Sequence, residues 1–392
     1  MRRSIPAQHI LLVGGGHAHV AVLADWIRRG IPADHATLLT PEPVLRYSGM
    51  VPGWISAQYG RDEGLVDLAG LAARAGVRLV LDRCASLNPE TRSVRVSRGG
   101  EISFDLCSID TGGVGRAKHV LGDDPRLLDV RPIGDFVEAI EGQGKLDHIA
   151  VVGGGAGGVE LAFGLRNRGG SNVDQPRVTI IAGRRGLLPE FSAAARRRAI
   201  AECGAQGIAV INANACLEDG VLKAGGVEVG GVEAGGVEAG TSQTAVVPIS
   251  TPDLIVAALG SAAPLWPSES GLDCRADGFI AVDAYQRSTS HLHVFAVGDI
   301  ASRQDRDIPH SGVHAVMAGP ALADNLRDAA AGRVMTNSYR PRPASLYLIS
   351  TARGEAIASY GPFAAQGRWA ARLKHWIDTR WLRQYARVIR KN

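Results

Sequence analysis

An α/β chain built on two copies of one strand–glycine turn–helix unit is what this sequence predicts, and three stretches carry the prediction. His9-Ile10-Leu11-Leu12-Val13 runs into Gly14-Gly15-Gly16-His17-Ala18-His19 and then into helical spacing from Val20 to Arg29. Ile149-Ala150-Val151-Val152 runs into Gly153-Gly154-Gly155-Ala156-Gly157-Gly158, with Val159 to Phe163 opening a helix. His291 to Val297 reads as a third strand, ending at Gly298-Asp299.

The first unit continues into a second strand at Ala36 to Leu39, so its glycines sit between a strand and a helix. That context turns a glycine pattern into a dinucleotide site. Gly14 permits the tight turn and Gly16 lets the backbone approach a pyrophosphate. The helix start at His17 and Ala18 offers free N–H groups and a partial positive charge. The third glycine of the pattern is replaced by His19, so helix and strand are expected to pack farther apart.

The second unit is complete. Gly153, Gly155 and Gly158 take the three glycine roles, Ala156 starts the helix, Glu160 lies in its first turns, and Arg177 to Ile181 supplies the next strand. Asp299, at a strand's carboxyl end, can accept a hydrogen bond from a polyol such as a ribityl chain.

Composition excludes several classes. The formal charge of +4 over 392 residues is too near neutrality for a chain that binds nucleic acid as a whole. No apolar run approaches the ~18 residues of a spanning helix. The N-terminus lacks the apolar stretch and cleavage site of a secretory signal, and the expectation is a cytoplasmic protein. Cys84, Cys107, Cys203, Cys216 and Cys274 are scattered singly, with no Cys-x-x-Cys pair. They predict isolated thiols in a reducing compartment, with neither a local redox disulfide nor a metal site.

Together these stretches resemble the FAD/NAD(P)H flavoproteins with two dinucleotide domains, the pyridine nucleotide-disulfide oxidoreductase superfamily. Ile109-Asp110-Thr111-Gly112-Gly113 and Leu254 to Gly260 are similar to the crossovers that superfamily uses between domains. The resemblance implies two Rossmann-like domains, with the FAD domain split by an inserted NAD(P)H domain. The divisions expected are 1–118 and 271–333 for FAD, 119–270 for NAD(P)H, and a C-terminal region at 334–392. It assigns Gly14, Gly15, Gly16, His17, Ala18, Glu42, Ser48, Gly112, Gly298 and Asp299 to FAD. It assigns Gly153, Gly155, Ala156, Gly158, Glu160, Arg184, Arg185 and Gly260 to NADH or NADPH.

Narrower likenesses follow. Gly14 to Val20, Tyr47 to Gly53, Gly319 to Leu326, Leu348 to Thr351 and the tail from Gln366 to Tyr385 resemble the flavoprotein module fused to selenide, water dikinase. That module is similar to type II NADH dehydrogenases and sulfide:quinone oxidoreductases. The kinase half is not among these residues, so selenophosphate synthesis is not expected of them. Sulfide:quinone chemistry needs paired cysteines beside the flavin, and no Cys lies beyond Cys274; disulfide reductases carry a Cys pair after the first strand–helix–strand, and Pro41 to Tyr59 has none. What the resemblance leaves is hydride transfer from NADH or NADPH to FAD, then onward delivery to a small acceptor such as a quinone without a thiol relay.

Some positions depart from the pattern. Thr40 stands where an acidic ribose-binding residue would close the second strand; Glu42 takes that role two residues later or is a solvent-facing loop residue. Arg184 and Arg185 follow the strand ending at Ile181 and can pair a 2′-phosphate, which favours NADPH, or sit in a solvated loop. Ala318 occupies the place of a flavin-side Gln of type II dehydrogenases, and Met317 that of a basic residue. The chemistry demands no catalytic acid or base; His310 and His314 are the candidates to protonate a reduced acceptor, or else are structural.

Two further stretches stand apart. Gly225 to Ala239 repeats Gly-Gly-Val-Glu three times, as a hairpin-loop expansion without function. The tail 368–391 carries eight Lys or Arg and one acid, Asp378, among Trp369, Trp376, Trp381 and Tyr385. Trp369, Leu373, Trp376 and Ile377 share one helical face, which predicts a basic amphipathic helix. Its readings are a peripheral contact on the inner face of the cell membrane, a stripe packed on the body, or a homodimer seam. The first predicts that the tail governs location rather than chemistry. Rival readings of the whole chain are a soluble reductase serving selenium or sulfur metabolism, and an NAD(P)H-binding redox sensor.

Overall fold

The computed structural model describes residues 8–170, 174–227, 245–342 and 344–390. Along the chain, β1 (His9–Val13), α1 (His17–Arg29), β2 (His35–Thr40), α2 (Leu68–Ala75), β3 (Arg78–Leu81) and β4 (Leu106–Ile109) come first. Then follow β5 (Leu127–Asp129), β6 (His148–Val152), α3 (Ala156–Arg166), β7 (Arg177–Ile181), β8 (Ala209–Ile211) and β9 (Leu254–Ala257). The last stretch holds β10 (Val294–Ala296), α4 (Gly312–Ala330), β11 (Tyr347–Ser350), β12 (Ala356–Tyr360), β13 (Phe363–Gly367) and α5 (Arg368–Arg390).

Two five-stranded parallel sheets result, in the orders β10-β4-β1-β2-β3 and β5-β9-β6-β7-β8. Each places its first glycine strand in the middle, covered on both faces. Ile10 and Leu12 of β1 enter one core with α1 and α4, while Leu11 and Val13 enter a second core on the other face. This two-sided burial is why β1 reads as a continuous apolar run rather than an alternation. β10 returns to the first sheet from beyond the second, so the first domain is split by the second, as the resemblance implied. Val114 and Ala262 pair across the two connecting segments.

The strand expected over 291–297 is shorter. Val294 N–H donates to the His291 carbonyl at 2.9 Å, which makes a turn of His291 to His293 and leaves β10 to start at Val294. Residues 228–239 of the glycine repeat lie outside the described residues.

The tail is the main correction. It is helical, as the spacing predicts, but one face is built into the molecule. Ala370, Asp378 and Tyr385 are buried, and Trp381, Leu382 and Ile389 pack on the core beneath α1. A helix that supplies core residues does not govern location alone. Trp369 and Trp376 point the other way, 52% and 55% exposed, with Ile377 at the edge. The antiparallel sheet β11-β12-β13 leads into α5 and places Ile349 and Ile357 in the core of the second domain.

Candidate cofactor and hydride-transfer site

The first glycine turn is shaped by Asp110, the residue after β4. Gly14 has φ +95°, and a Cβ there would run into the Asp110 carbonyl. A Cβ on Gly16 would run into the Asp110 carboxylate, and one on Gly15 into Leu68 and Thr40. Gly16 is therefore required by the protein's own acid, whatever an approaching pyrophosphate would demand. The Asp110 carboxylate accepts hydrogen bonds from the Ala18 and His19 N–H groups at 2.8 and 3.0 Å. Burial pushes this acid up to about 7 against the pull of those two bonds.

His19 sits between helix and strand as a buried cross-link. Its ring is fully buried, with Nδ1 2.6 Å from the Gly14 carbonyl and Nε2 2.9 Å from Ser108 Oγ on β4. The imidazole fills and cross-links the gap that a glycine closes in the second unit. There a Cβ on Gly158 would meet the Gly153 carbonyl, whereas Gly155 faces open space on the side where a dinucleotide would lie.

Asp299 lies just past β10, in a 3₁₀ turn with Gly298 at φ +71°. Its Oδ2 pairs with Arg131 at 2.7 Å, and its Oδ1 is buried without a partner. An orphaned carboxylate oxygen is costly unless something donates to it, and a ribityl hydroxyl is a suitable donor. Ser311 Oγ, at the start of α4, is likewise buried and unpartnered beside the same cleft. Gly112 (φ +70°) and Gly260 (φ +81°) face open space at the ends of the two crossovers. These features fit FAD on the first unit and a nicotinamide dinucleotide on the second.

The histidines expected near the acceptor share that cleft. His310 stacks on Phe279 with ring centroids 3.9 Å apart, and His314 Nδ1 is 2.8 Å from the Tyr339 hydroxyl. Burial lowers both below the ordinary histidine value. Ala318 stands where a Gln was sought, yet the buried Gln286 reaches the spot from a turn, donating Nε2–H to the Ala318 carbonyl at 3.1 Å. Met317 is exposed.

Glu42 is exposed two residues beyond β2, and Ser48 is exposed near Gly312 at the start of α4. Arg185 is held by Glu190 at 2.8 Å with both side chains in solvent. Arg184 is exposed in the same turn after β7.

A buried polar cluster went unseen in the sequence. Glu160 of α3 accepts from Ser350 N–H at 2.8 Å and lies 3.9 Å from Lys374 Nζ on α5. Lys374 is 3.4 Å from Asp378, and Tyr47 donates its hydroxyl proton to Asp378 at 3.1 Å. Burial pulls Lys374 down, but Glu160 and Asp378 more than offset this and keep it protonated. Burial raises Glu160 and Asp378 against the same cation. Tyr47 stacks on Trp381 at 4.8 Å, and the half-buried His17 ring lies 5.5 Å from Trp381. His17, held near 4 by burial beside Arg131, is neutral at physiological pH. The spacing Lys374/Asp378/Trp381/Tyr385 and the lone acid among eight cations were the available signal.

Residues 8–319 match the family described as pyridine nucleotide-disulphide oxidoreductase. Ferroptosis suppressor protein 1 of Xenopus tropicalis is 24% identical over 286 residues, 71% of this chain and 70% of that protein. The sulfide-quinone reductase of Aquifex aeolicus is 24% identical over 143 residues, covering 36% of this chain and 32% of that one. A solved sulfide:quinone oxidoreductase from Aquifex aeolicus superposes over 97% of this chain and 92% of its own, with TM-score 0.74 at 16% identity. With the family matched over most of its length, the chain belongs to the pyridine nucleotide-disulphide oxidoreductases and is a flavin-dependent oxidoreductase working with FAD and NADH or NADPH.

Proposed function

We propose that the protein is an NAD(P)H dehydrogenase of the type II kind, passing a hydride to FAD and electrons onward to a quinone-like acceptor without a redox disulfide. The observation that carries this reading is the placement of the thiols. All five cysteines are unpaired, and none stands in the Asp299 cleft or the Glu160–Lys374 cluster. Burial pushes the Cys84 and Cys203 thiols up to about 12 and raises Cys107 well above the ordinary thiol value, so they stay protonated and poor nucleophiles.

Bound FAD supplies the two-electron chemistry. The chain's own residues do the rest. The first turn and Asp299 hold the cofactor, and the second turn, with Gly155 open, orients the nicotinamide dinucleotide. Lys374 holds a proton between Glu160 and Asp378 where both domains and α5 converge. Reduction of a quinone by NAD(P)H consumes one further proton, and we assign its delivery to this cluster and the two cleft histidines. Arg184 favours NADPH over NADH.

The exposed face of α5 supports a peripheral membrane location. Trp369 and Trp376 lie among Arg372, Arg380, Arg383 and Arg387, all exposed, with Phe363 nearby on β13. Arg380 sits 5.2 Å over the Trp376 ring. Among the described residues no helix is long and apolar enough to cross a membrane. Purified protein given NADPH or NADH and a short-chain quinone should oxidise the nucleotide catalytically. Turnover with a disulfide substrate but not with quinone would refute the reading.

A further inference from the structure

The two glycine turns are built alike but differ, beyond His19 for Gly158, in the residue that follows the neighbouring strand. A Cβ on Gly14 would strike the carbonyl of Asp110, and one on Gly153 would strike the carbonyl of Ala258. Asp110 follows β4 as Ala258 follows β9, each beside the central strand of its sheet. In the second unit that position carries a methyl, which accepts nothing. In the first it carries a carboxylate bonded to the Ala18 and His19 N–H groups. Two of the N–H groups left open at the start of α1 are thus taken by the protein's own acid rather than left for a ligand's phosphates.

Among the described residues no cation offsets that acid. On α1, burial holds His17 and His19 near 4, so both are neutral at pH 7. Across the cleft Asp299 faces it, and Arg131 is bonded to Asp299 Oδ2. On α4, His314 is lowered by burial and bonded to Tyr339. The Asp110 carboxylate, raised to about 7, is therefore poised to change charge near neutrality.

We propose that Asp110 ties the hold on FAD to pH: the diphosphate reaching the start of α1 meets a carboxylate already seated there, so binding takes up one proton at Asp110. The inference rests on the first turn being the FAD turn. A protonated Asp110 keeps its carbonyl oxygen toward the two N–H groups while losing the charge that repels phosphate. The sign follows from linkage. Below the free-state value the acid is neutral with or without FAD, and affinity is flat and tightest. Above it, binding must bring a proton in, and Kd rises by up to about tenfold per pH unit until the bound-state value is reached.

The test titrates FAD into the apoprotein by fluorescence from about pH 6 to about pH 9, and counts protons taken up by the same wild-type protein in weak buffer. The expected result is a Kd that climbs above about pH 7, with uptake approaching one proton per FAD. Asp110→Asn, which keeps an acceptor oxygen but no charge, should flatten the profile and abolish the uptake. Asp110→Ala, matching Ala258, serves if the Asn variant does not fold, and the wild-type proton count decides even without either. A flat wild-type profile without proton uptake overturns the proposal, as does an Asn variant that keeps the wild-type slope. Failure to bind FAD at any pH overturns the proposal together with the reading of the first turn on which it rests.

Discussion

Lys374 of α5 and Glu160 of α3 lie 3.9 Å apart in the interior, the lysine 14% and the glutamate 15% exposed at the side chain, and they lock the C-terminal helix to the second nucleotide-binding helix. Asp378 one turn on completes the cluster. Removing one member of a buried charge set leaves its partners uncompensated, at a cost of about 3–5 kcal/mol.

Lys374→Met should lower unfolding stability by an amount of that order in urea titration. Pairing it with Glu160→Gln should recover part of the loss, because the double change removes a charge of each sign. A single variant within about 0.5 kcal/mol of wild type would mean that the cluster is not held as described.

Truncation after Gly367 should be far more damaging than loss of a surface helix. It deletes Trp381, Leu382 and Tyr385 from the core under α1 and unpairs Glu160 and Tyr47. Loss of a large buried aromatic such as Tyr385 costs about 3–5 kcal/mol, against a total of about 5–15 kcal/mol for a domain. The truncated chain should fail to give a cooperative unfolding transition or to hold FAD; a truncated chain that stays folded and yellow would contradict the packing.

Changes on the other face of α5 should spare the fold. Trp369→Ala with Trp376→Ala should leave unfolding within about 1 kcal/mol of wild type, since both rings are in solvent. The same pair should weaken sedimentation with anionic vesicles, and salt should weaken it further by screening the four arginines. Unchanged vesicle binding would remove this face from the membrane account.

Arg184→Glu should move preference from NADPH toward NADH, while Arg185→Ala should do less because Arg185 is already paired with Glu190. Steady-state kcat/KM for both nucleotides measures it. A wild type that prefers NADH about tenfold, or about 1.4 kcal/mol, would reverse the role given to Arg184.

The sequence made the glycine turns legible because their constraint is steric and local. Gly14, Gly153 and Gly158 stand where a carbonyl leaves no room for a side chain, and such a demand cannot be met by other residue types. His19 was legible only in part: a large ring at a glycine position stands out, but its two nitrogens find partners that only the folded strand β4 and turn supply. The Glu160–Lys374–Asp378–Tyr47 cluster was hidden because its members come from three separate segments, and the amphipathic reading of the tail followed its tryptophans. Trp369 and Trp376 mark the outer face, while a lysine and an aspartate mark the inner one. Gln286 beside Ala318 was equally out of reach, since no spacing links a turn after one strand to the middle of a later helix.

The most direct test of the account is transient kinetics on the FAD-loaded protein before and after alkylation of its cysteines under anaerobic conditions. NADPH or NADH should bleach the flavin, and a short-chain quinone should restore its colour, at rates that alkylation changes less than about twofold, or 0.4 kcal/mol in barrier. Flavin that no nicotinamide nucleotide reduces, or reoxidation by quinone that alkylation abolishes, would contradict electron transfer without a thiol relay.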